Sequence, residues 1–161
     1  MKWTTAFGLL SWLLSAGLGG SLQAGETRAS GWLNWRGPQQ NGVSLEKNLP
    51  EHLAVKEALW VADFPGQSTP VIANGKLYIM GFLGDGPDLQ EGVACFDAES
   101  GKKLWQRLYN DFISDTIYQR YATSSATIND ETGDVFMQGT QGILAAFSAD
   151  GQLLWQHSLM E

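Results

Sequence analysis

The chain has 161 residues, of which 43% are hydrophobic and 17% charged, a composition that suits one packed domain and argues against intrinsic disorder. Its formal net charge of −7 argues against a nucleic-acid partner, and its single cysteine excludes a disulfide framework and a cysteine-based zinc site. Nineteen glycines and seven tryptophans favour tight turns between buried strands.

Residues 1–24 have the features of a secretory signal peptide. Lys2 gives a positive start, Ala6–Leu18 is an apolar run of 13 residues, and small and polar residues lead to a predicted cleavage site after Ala24. Thirteen residues are fewer than the roughly 20 that a membrane-spanning helix needs. We therefore expect an exported protein, periplasmic or extracellular, with no membrane span after cleavage. No cysteine lies near the cleavage site, which argues against an N-terminal lipid anchor.

The rest of the chain contains an imperfect repeat. Three Leu-Trp pairs end at Trp60, Trp105 and Trp155, which are 45 and 50 residues apart, the spacing of four-stranded propeller blades. The segments between them align piece by piece, and the offset changes only at turns. For example, residues 69–72 match residues 125–128 at an offset of 56, and Val93–Phe96 matches Leu144–Phe147 at 51.

Each repeat predicts four short antiparallel strands. Asn74-Gly75 and Asp150-Gly151 are strong hairpin signals. Leu77–Met80 is apolar at every position, so both faces of that strand must be covered, as they are in stacked blades. The predicted strands lie near residues 69–73, 76–82, 92–97 and 102–108 in the first repeat, and near 125–129, 134–139, 143–148 and 152–157 in the second.

The predicted fold class is all-β, a partial β-propeller of about two four-stranded antiparallel blades with an N-terminal arm. A closed propeller needs four to eight blades, so we expect the chain to be the N-terminal part of a longer propeller, truncated after the second blade. Ala58–Ala62 is expected to be the outer strand of the closing blade, left without its own sheet. The predicted divisions are the arm with this outer strand at 25–62, blade one at 63–108, a connection at 109–123 and blade two at 124–161.

The end of each repeat resembles the tryptophan-docking motif A-x-D-x-x-T-G-x-x-x-W of the PQQ-like, quinoprotein alcohol dehydrogenase-like propellers. The second copy has Ser148 in place of the acid and is one turn residue shorter. The arm segment Trp32–Pro38, followed by Asn41-Gly42-Val43, is similar to the arm before blade one in bacterial members. The motif residues in this chain are Cys95, Asp97, Ser100, Gly101 and Trp105 in the first copy and Ala146, Gly151 and Trp155 in the second.

These motif residues are suited to building a scaffold. An acid that opens a turn accepts backbone N–H bonds, and glycine supplies the left-handed conformation that closes it. A tryptophan offers a wide apolar face to the next blade, and its indole N–H can reach a carbonyl. We expect Trp105 to be buried between the blades, near Cys95 and the Gly151 turn.

The resemblance implies one of two functions. The first is a non-enzymatic scaffold or protein-binding propeller, with other envelope proteins as partners. The alternative is the N-terminal part of a PQQ-dependent alcohol or sugar dehydrogenase, in which PQQ stacks on a tryptophan, Glu, Asn and Asp hold calcium, and two adjacent cysteines are often bridged. Cys95 is the only thiol and is interpreted as an inert, small apolar residue. We assign no catalytic, cofactor-binding or metal-binding residue, so PQQ and calcium would belong only to a full-length enzyme.

The remaining polar features favour ordinary surface roles. The acidic segment Gly84–Gly92 has oxygen ligands for calcium but lacks EF-hand spacing, so a solvated hairpin loop is favoured. His52 and His157 are expected at the surface, and Ser68 lacks the second glycine of a nucleophile elbow. The connection between the blades is the place where a family-specific surface is expected, and its polar residues are Asp111, Asp115, Tyr118, Arg120 and Tyr121.

Overall fold

A computed structural model describes residues 28–111 and 121–160, and the predicted signal peptide lies outside them. The described residues form two antiparallel sheets whose strands follow one another in chain order. Single turns of 3-10 helix lie at Val55–Glu57 and Gly86–Asp88. The first sheet contains β1 (Gly31–Trp32), β2 (Val71–Ala73), β3 (Lys76–Leu83), β4 (Gln90–Asp97) and β5 (Lys103–Asn110). The second contains β6 (Thr127–Ile128), β7 (Val135–Gln138), β8 (Ile143–Phe147) and β9 (Leu153–Ser158).

The predicted all-β fold with two four-stranded blades is confirmed, with three differences. The arm contributes β1, which the sequence did not predict and which makes the first sheet five-stranded. The second difference is at β4, which begins at Gln90, so the end of the acidic segment is strand rather than solvated loop. No strand is present over residues 58–62 in the described structure, although an outer strand was expected there.

Local turn chemistry explains where the strands end. Asn74 and Gly75 have φ angles of 49° and 74°, the left-handed values that a two-residue hairpin between β2 and β3 requires. The register shifts between Cys95 and Phe96 in the first sheet, and the second sheet has its own shift between Ala146 and Phe147. The two repeats therefore share an irregularity at the same place, just before the last hairpin.

The main hydrophobic core lies between the two sheets. Because side chains alternate along a strand, β4 directs Val93 and Cys95 to this core and Ala94 and Phe96 to the opposite face of its sheet. A smaller cluster covers that opposite face and includes Phe64 and the partly buried Trp60. The main core includes Tyr78, Met80, Val93 and Cys95 from the first sheet and Ile128, Val135, Met137, Ala145 and Phe147 from the second.

The arm joins the inner strands of both sheets. Its strand β1 pairs with β2 of the first sheet. The Leu33 carbonyl oxygen then accepts a hydrogen bond of 2.8 Å from the Ile128 N–H in the second sheet, and the Ala29 N–H donates to the Asp130 carbonyl at 2.7 Å. Within the described residues, no helix has the length and apolar character needed to cross a bilayer.

Candidate functional site: the inter-blade seam

The seam is the contact between the first sheet, which is blade one, and the second sheet, which is blade two. Trp105 of β5 lies partly buried in this seam. Its indole Nε1–H donates to the Ala149 carbonyl oxygen at 3.0 Å. A Cβ on Gly151 would lie 2.5 Å from the Trp105 ring, so only glycine allows the turn to approach so closely. The Trp105 ring is 5.9 Å from that of Tyr78 in its own blade and 6.0 Å from that of Phe147 across the seam.

Trp60 makes the same set of contacts on the opposite face of blade one. Its Nε1–H donates to the Ala98 carbonyl oxygen at 3.1 Å, and its ring stacks on Phe96 with centroids 6.0 Å apart. A Cβ on Gly101 would collide with the Trp60 ring, as one on Gly151 would with Trp105. Trp60 of the arm therefore packs on the last turn of blade one in the same way as Trp105 of blade one packs on the last turn of blade two.

The turns that receive these tryptophans are held by their own side chains. The Asp97 carboxylate accepts hydrogen bonds from the Ser100 N–H at 2.8 Å and from the Ser100 hydroxyl at 2.6 Å. These bonds hold the pKa of Asp97 below its ordinary value of 3.8. In the second turn the Ser148 hydroxyl accepts from the Gln152 N–H at 3.1 Å instead. Gly101 and Gly151 close the two turns with φ angles of 70° and 79°.

Trp155 is the equivalent residue at the end of blade two, and it faces away from blade one. It lies opposite Ala146 in the β8–β9 pair, and its ring is 6.0 Å from that of Phe136. It is 38% exposed, and in residues 28–111 and 121–160 no acceptor receives its indole N–H. The structure thus brings Trp105 and Gly151 together and leaves Trp155 uncovered in the described part of the chain.

Cys95 lies opposite Trp105 in the β4–β5 pair and is fully buried with a free thiol. Burial raises the pKa of the Cys95 thiol to about 11 and that of the neighbouring Tyr78 hydroxyl as well. The thiol is therefore protonated at neutral pH, the form in which cysteine is a poor nucleophile.

Glu91 is a buried carboxylate in the seam that the sequence reasoning did not single out. Its side chain is fully buried, and its Oε1 atom accepts from the Ala122 N–H at 3.2 Å. Its Oε2 atom accepts from the Thr140 N–H at 3.0 Å in the turn between β7 and β8. Burial is the main cause that raises the pKa of Glu91 from 4.5. The sequence contained a signal for the burial of Glu91, because Glu91, Val93 and Cys95 are at alternate positions and share one face of β4.

Comparison with known families agrees with this repeat geometry. A family model described as outer membrane protein assembly factor BamB matches residues 54–161, more than half of the chain. The chain belongs to this family of BamB-like PQQ repeats. A search of curated proteins gave no match.

In the described residues of this PQQ-repeat chain, the buried carboxylate and the two docked tryptophans already have protein partners. Both oxygens of the buried Glu91 carboxylate already accept backbone N–H groups. The rings of Trp60 and Trp105 are covered by the Gly101 and Gly151 turns. In the described part of the chain, no three His, Cys, Asp or Glu side chains lie close enough together to hold a metal ion.

The other polar residues of the PQQ-repeat chain have structural or surface positions. His52 and His157 are exposed, and the Ser68 hydroxyl donates to the Met80 carbonyl and accepts from the Met80 N–H. The Asp85 carboxylate accepts from the Gly86 N–H at 2.8 Å and begins the short 3-10 turn of the acidic segment. Asp111 and Tyr121 are buried at the two ends of the inter-blade connection. Asp115, Tyr118 and Arg120 lie outside the described residues.

Proposed function

We propose that this β-propeller module belongs to an exported, non-enzymatic protein that serves as a scaffold or a protein-binding surface. The observation that carries the proposal is a row of exposed apolar side chains along arm residues 43–61. Leu53, Val55 and Leu59 are 87%, 90% and 89% exposed. So many large apolar side chains exposed along one short segment suit a surface that binds another protein. The other members of the row are Val43, Leu45, Leu49 and Val61.

The matched family and the N-terminal sequence support partners in the cell envelope. The family is described as an outer membrane protein assembly factor. Residues 1–24 have the charge, apolar run and small-residue cleavage site of an export signal. Charged Glu46, Lys47 and Lys56 separate the apolar residues of the arm, which suits an interface with an apolar centre and a polar rim.

Site-specific photo-crosslinking in intact cells tests this proposal. A photoreactive residue in place of Leu53 or Leu59 should crosslink to a discrete envelope protein, whereas the same residue in place of the exposed turn residue Lys102 should not. The double variant Leu53→Asp/Leu59→Asp should abolish the partner's co-purification at an unchanged level of folded protein. Crosslinking that is equal at all three positions, or absent at all three, would contradict the proposal.

The alternative, a PQQ-dependent alcohol or sugar dehydrogenase, is tested by a different measurement. PQQ and calcium are added to the full-length protein, and dye reduction with alcohols and sugars is followed. We expect no reduction above the level seen without PQQ, because the proposed scaffold role requires no quinone. Substrate-dependent dye reduction would replace the scaffold proposal with the enzymatic one.

A further inference from the structure

A cleft lies between the arm and strand β6 of blade two. Arm residues between 29 and 40 form one wall, and residues 127–130 form the other. Its volume of about 640 Å³ is within the range of roughly 300–1,000 Å³ that small-molecule sites occupy. The two backbone hydrogen bonds that join the arm to blade two connect these walls, so the cleft is preformed.

Asn34 is a nearly buried polar side chain in the wall of the cleft. The residue is only 7% exposed, and its Oδ1 atom accepts from the Arg36 N–H at 3.0 Å, which fixes the orientation of the amide. In residues 28–111 and 121–160 no acceptor receives its Nδ2–H groups. Because the rest of the side chain is buried, an acceptor can approach Nδ2 only from the cleft. A ligand oxygen in the cleft would satisfy this donor.

The opposite wall of the cleft also carries donors. The Asn129 Oδ1 atom accepts from the Glu131 N–H at 2.8 Å and from the Thr132 N–H at 3.2 Å, so backbone groups orient this amide as they orient that of Asn34. Within the described part of the chain, neither the Asn129 Nδ2 group nor the Thr127 hydroxyl has a hydrogen-bond partner. Both walls can therefore donate to oxygen atoms of a ligand.

The charge of the cleft favours a neutral ligand. Among the described residues, no Lys, Arg or His lines it. The charged residue in its wall is Asp130, whose carboxylate forms an ion pair with Arg28. A phosphate or carboxylate ligand would find no lining cation to pair with and would face this acid. Asp130 and Gln40 supply acceptor oxygens, so a ligand that both donates and accepts hydrogen bonds suits the cleft.

Sugars match this set of side chains better than peptides do. A planar carboxylate or amide has two polar atoms and can bond two adjacent hydroxyl groups of a sugar ring. A peptide that adds a strand needs a free sheet edge. The arm strand instead pairs with β2 on one side and is hydrogen-bonded to blade two on the other. The planar polar side chains of the cleft are Asn34, Gln40, Asn129 and Asp130.

We propose that the cleft binds a neutral sugar unit of a glycan, at a site separate from the exposed apolar arm residues 43–61. Sugar oxygens accept from the Nδ2–H groups of Asn34 and Asn129, and a sugar hydroxyl donates to the Asp130 carboxylate. Trp35 directly follows Asn34 in the arm and is 64% exposed. Its indole ring offers an apolar surface on which the C–H face of the next sugar unit packs.

Titration of the full chain with neutral trisaccharides tests the proposal. Maltotriose, cellotriose and chitotriose are added separately at millimolar concentrations, and NMR follows the side-chain amide signals of Asn34 and Asn129. We expect at least one of these sugars to shift both signals in a saturable way, and the neutral peptide tetra-alanine to shift neither. The proposal is wrong if none of the sugars gives a saturable shift, or if only the peptide does.

Matched variants locate the bound sugar. Asn34→Ser keeps a side-chain oxygen for the Arg36 N–H but removes the Nδ2 donor, and should weaken binding about tenfold, the effect of one lost hydrogen bond. Asn41→Ser is the control, because the Asn41 Oδ1 atom accepts from the Val43 N–H at 2.9 Å in a similar turn outside the cleft. It should leave the affinity unchanged.

A variant on the opposite wall completes the test. Thr127→Val removes an exposed hydroxyl with little change in side-chain shape, so the fold should be kept, and we expect it to weaken sugar binding several-fold. Equal affinities in Asn34→Ser, Thr127→Val and Asn41→Ser would show that the sugar does not bind between the arm and blade two.

Discussion

Trp105 and Trp155 occupy equivalent positions in the two repeats but have different surroundings. Each lies on the last strand of its blade, with an aromatic ring of the same blade 5.9–6.0 Å away. Trp105 is covered by the Ala149–Gly151 turn of the next blade, whereas Trp155 is 38% exposed. The repeat thus places each tryptophan beside an aromatic ring of its own blade. How much the tryptophan stabilises the fold depends on whether a turn of the next blade covers the other side of its ring.

Trp60 extends this comparison because it lies on no strand of the described structure. It nevertheless makes the same three contacts as Trp105, with a carbonyl, a phenylalanine ring and a turn glycine. The docking geometry is therefore set by the hairpin turn that receives the tryptophan. The secondary structure that carries the ring matters less.

The largest effect is expected from truncating the covered tryptophan. Trp105→Ala should lower the free energy of unfolding by about 3 kcal/mol, the low end for a buried aromatic, because the ring is only partly buried. Trp155→Ala should lower it by less than about 1 kcal/mol, since no turn covers that ring in the described structure. Urea unfolding of the two variants measures the difference, and equal losses would contradict the comparison.

The next effect concerns the turn that covers Trp105. Gly151→Ala combines a positive φ of 79° with a Cβ 2.5 Å from the Trp105 ring, and should lower the free energy of unfolding by about 2–3 kcal/mol. Gly133→Ala is the matched control, because its φ is 75° but its nearest atom lies at 4.0 Å. The control variant should lose only about 1 kcal/mol of unfolding free energy, which is the cost of placing alanine at a positive φ. If thermal or urea melts give the two variants the same loss of stability, the Gly151 turn does not pack tightly against the Trp105 ring.

A smaller effect is expected from the ion pair at the edge of the seam. The Lys76 Nζ lies 2.9 Å from the Asp150 Oδ1, with the two side chains 29% and 83% exposed. Because the Asp150 side chain is exposed and solvent screens the pair, Lys76→Met should lower the free energy of unfolding by about 0.5 kcal/mol. The loss should shrink at 1 M salt, where charges are screened. Lys103→Met on β5, whose ammonium donates to the neutral Gln106 side chain, should cause no salt-dependent change. A Lys76→Met loss above about 2 kcal/mol would be inconsistent with a solvent-screened pair.

The smallest effect is a difference in pH dependence between the Asp97 turn of blade one and the Ser148 turn of blade two. Asp97 has a pKa below 3.8, so its hydrogen bonds stabilise the first turn fully above the unfolded value and are lost as pH falls through the folded pKa. The Ser100 amide should therefore shift and lose protection as pH falls below 3.8, as measured by NMR. The Gln152 amide should keep its protection, because its acceptor is the non-titrating Ser148 hydroxyl. Loss of protection at both amides at one pH would indicate global acid unfolding instead.

Most of the blade architecture was predictable from the sequence because its signals are local. The predicted strand at 76–82 is observed as Lys76–Leu83, and the one at 102–108 as Lys103–Asn110. Asn74-Gly75 adopts the left-handed angles expected of a hairpin. Alternation of side chains, turn glycines and the repeat spacing are all encoded within a few residues, so they can be found without knowledge of what packs against them.

The arm and the buried acid were decided by tertiary structure. Strand β1 pairs with β2 through backbone groups about 40 residues away, and backbone hydrogen bonds carry no side-chain pattern that reveals such a partner. Glu91 belongs to an acidic, glycine-rich segment that predicts a solvated loop, yet β4 begins at Gln90. Its carboxyl group can be buried because Ala122 and Thr140 present N–H groups to it across the seam. Burial of a charge depends on which partners the folded chain brings together, and the local sequence does not contain that information.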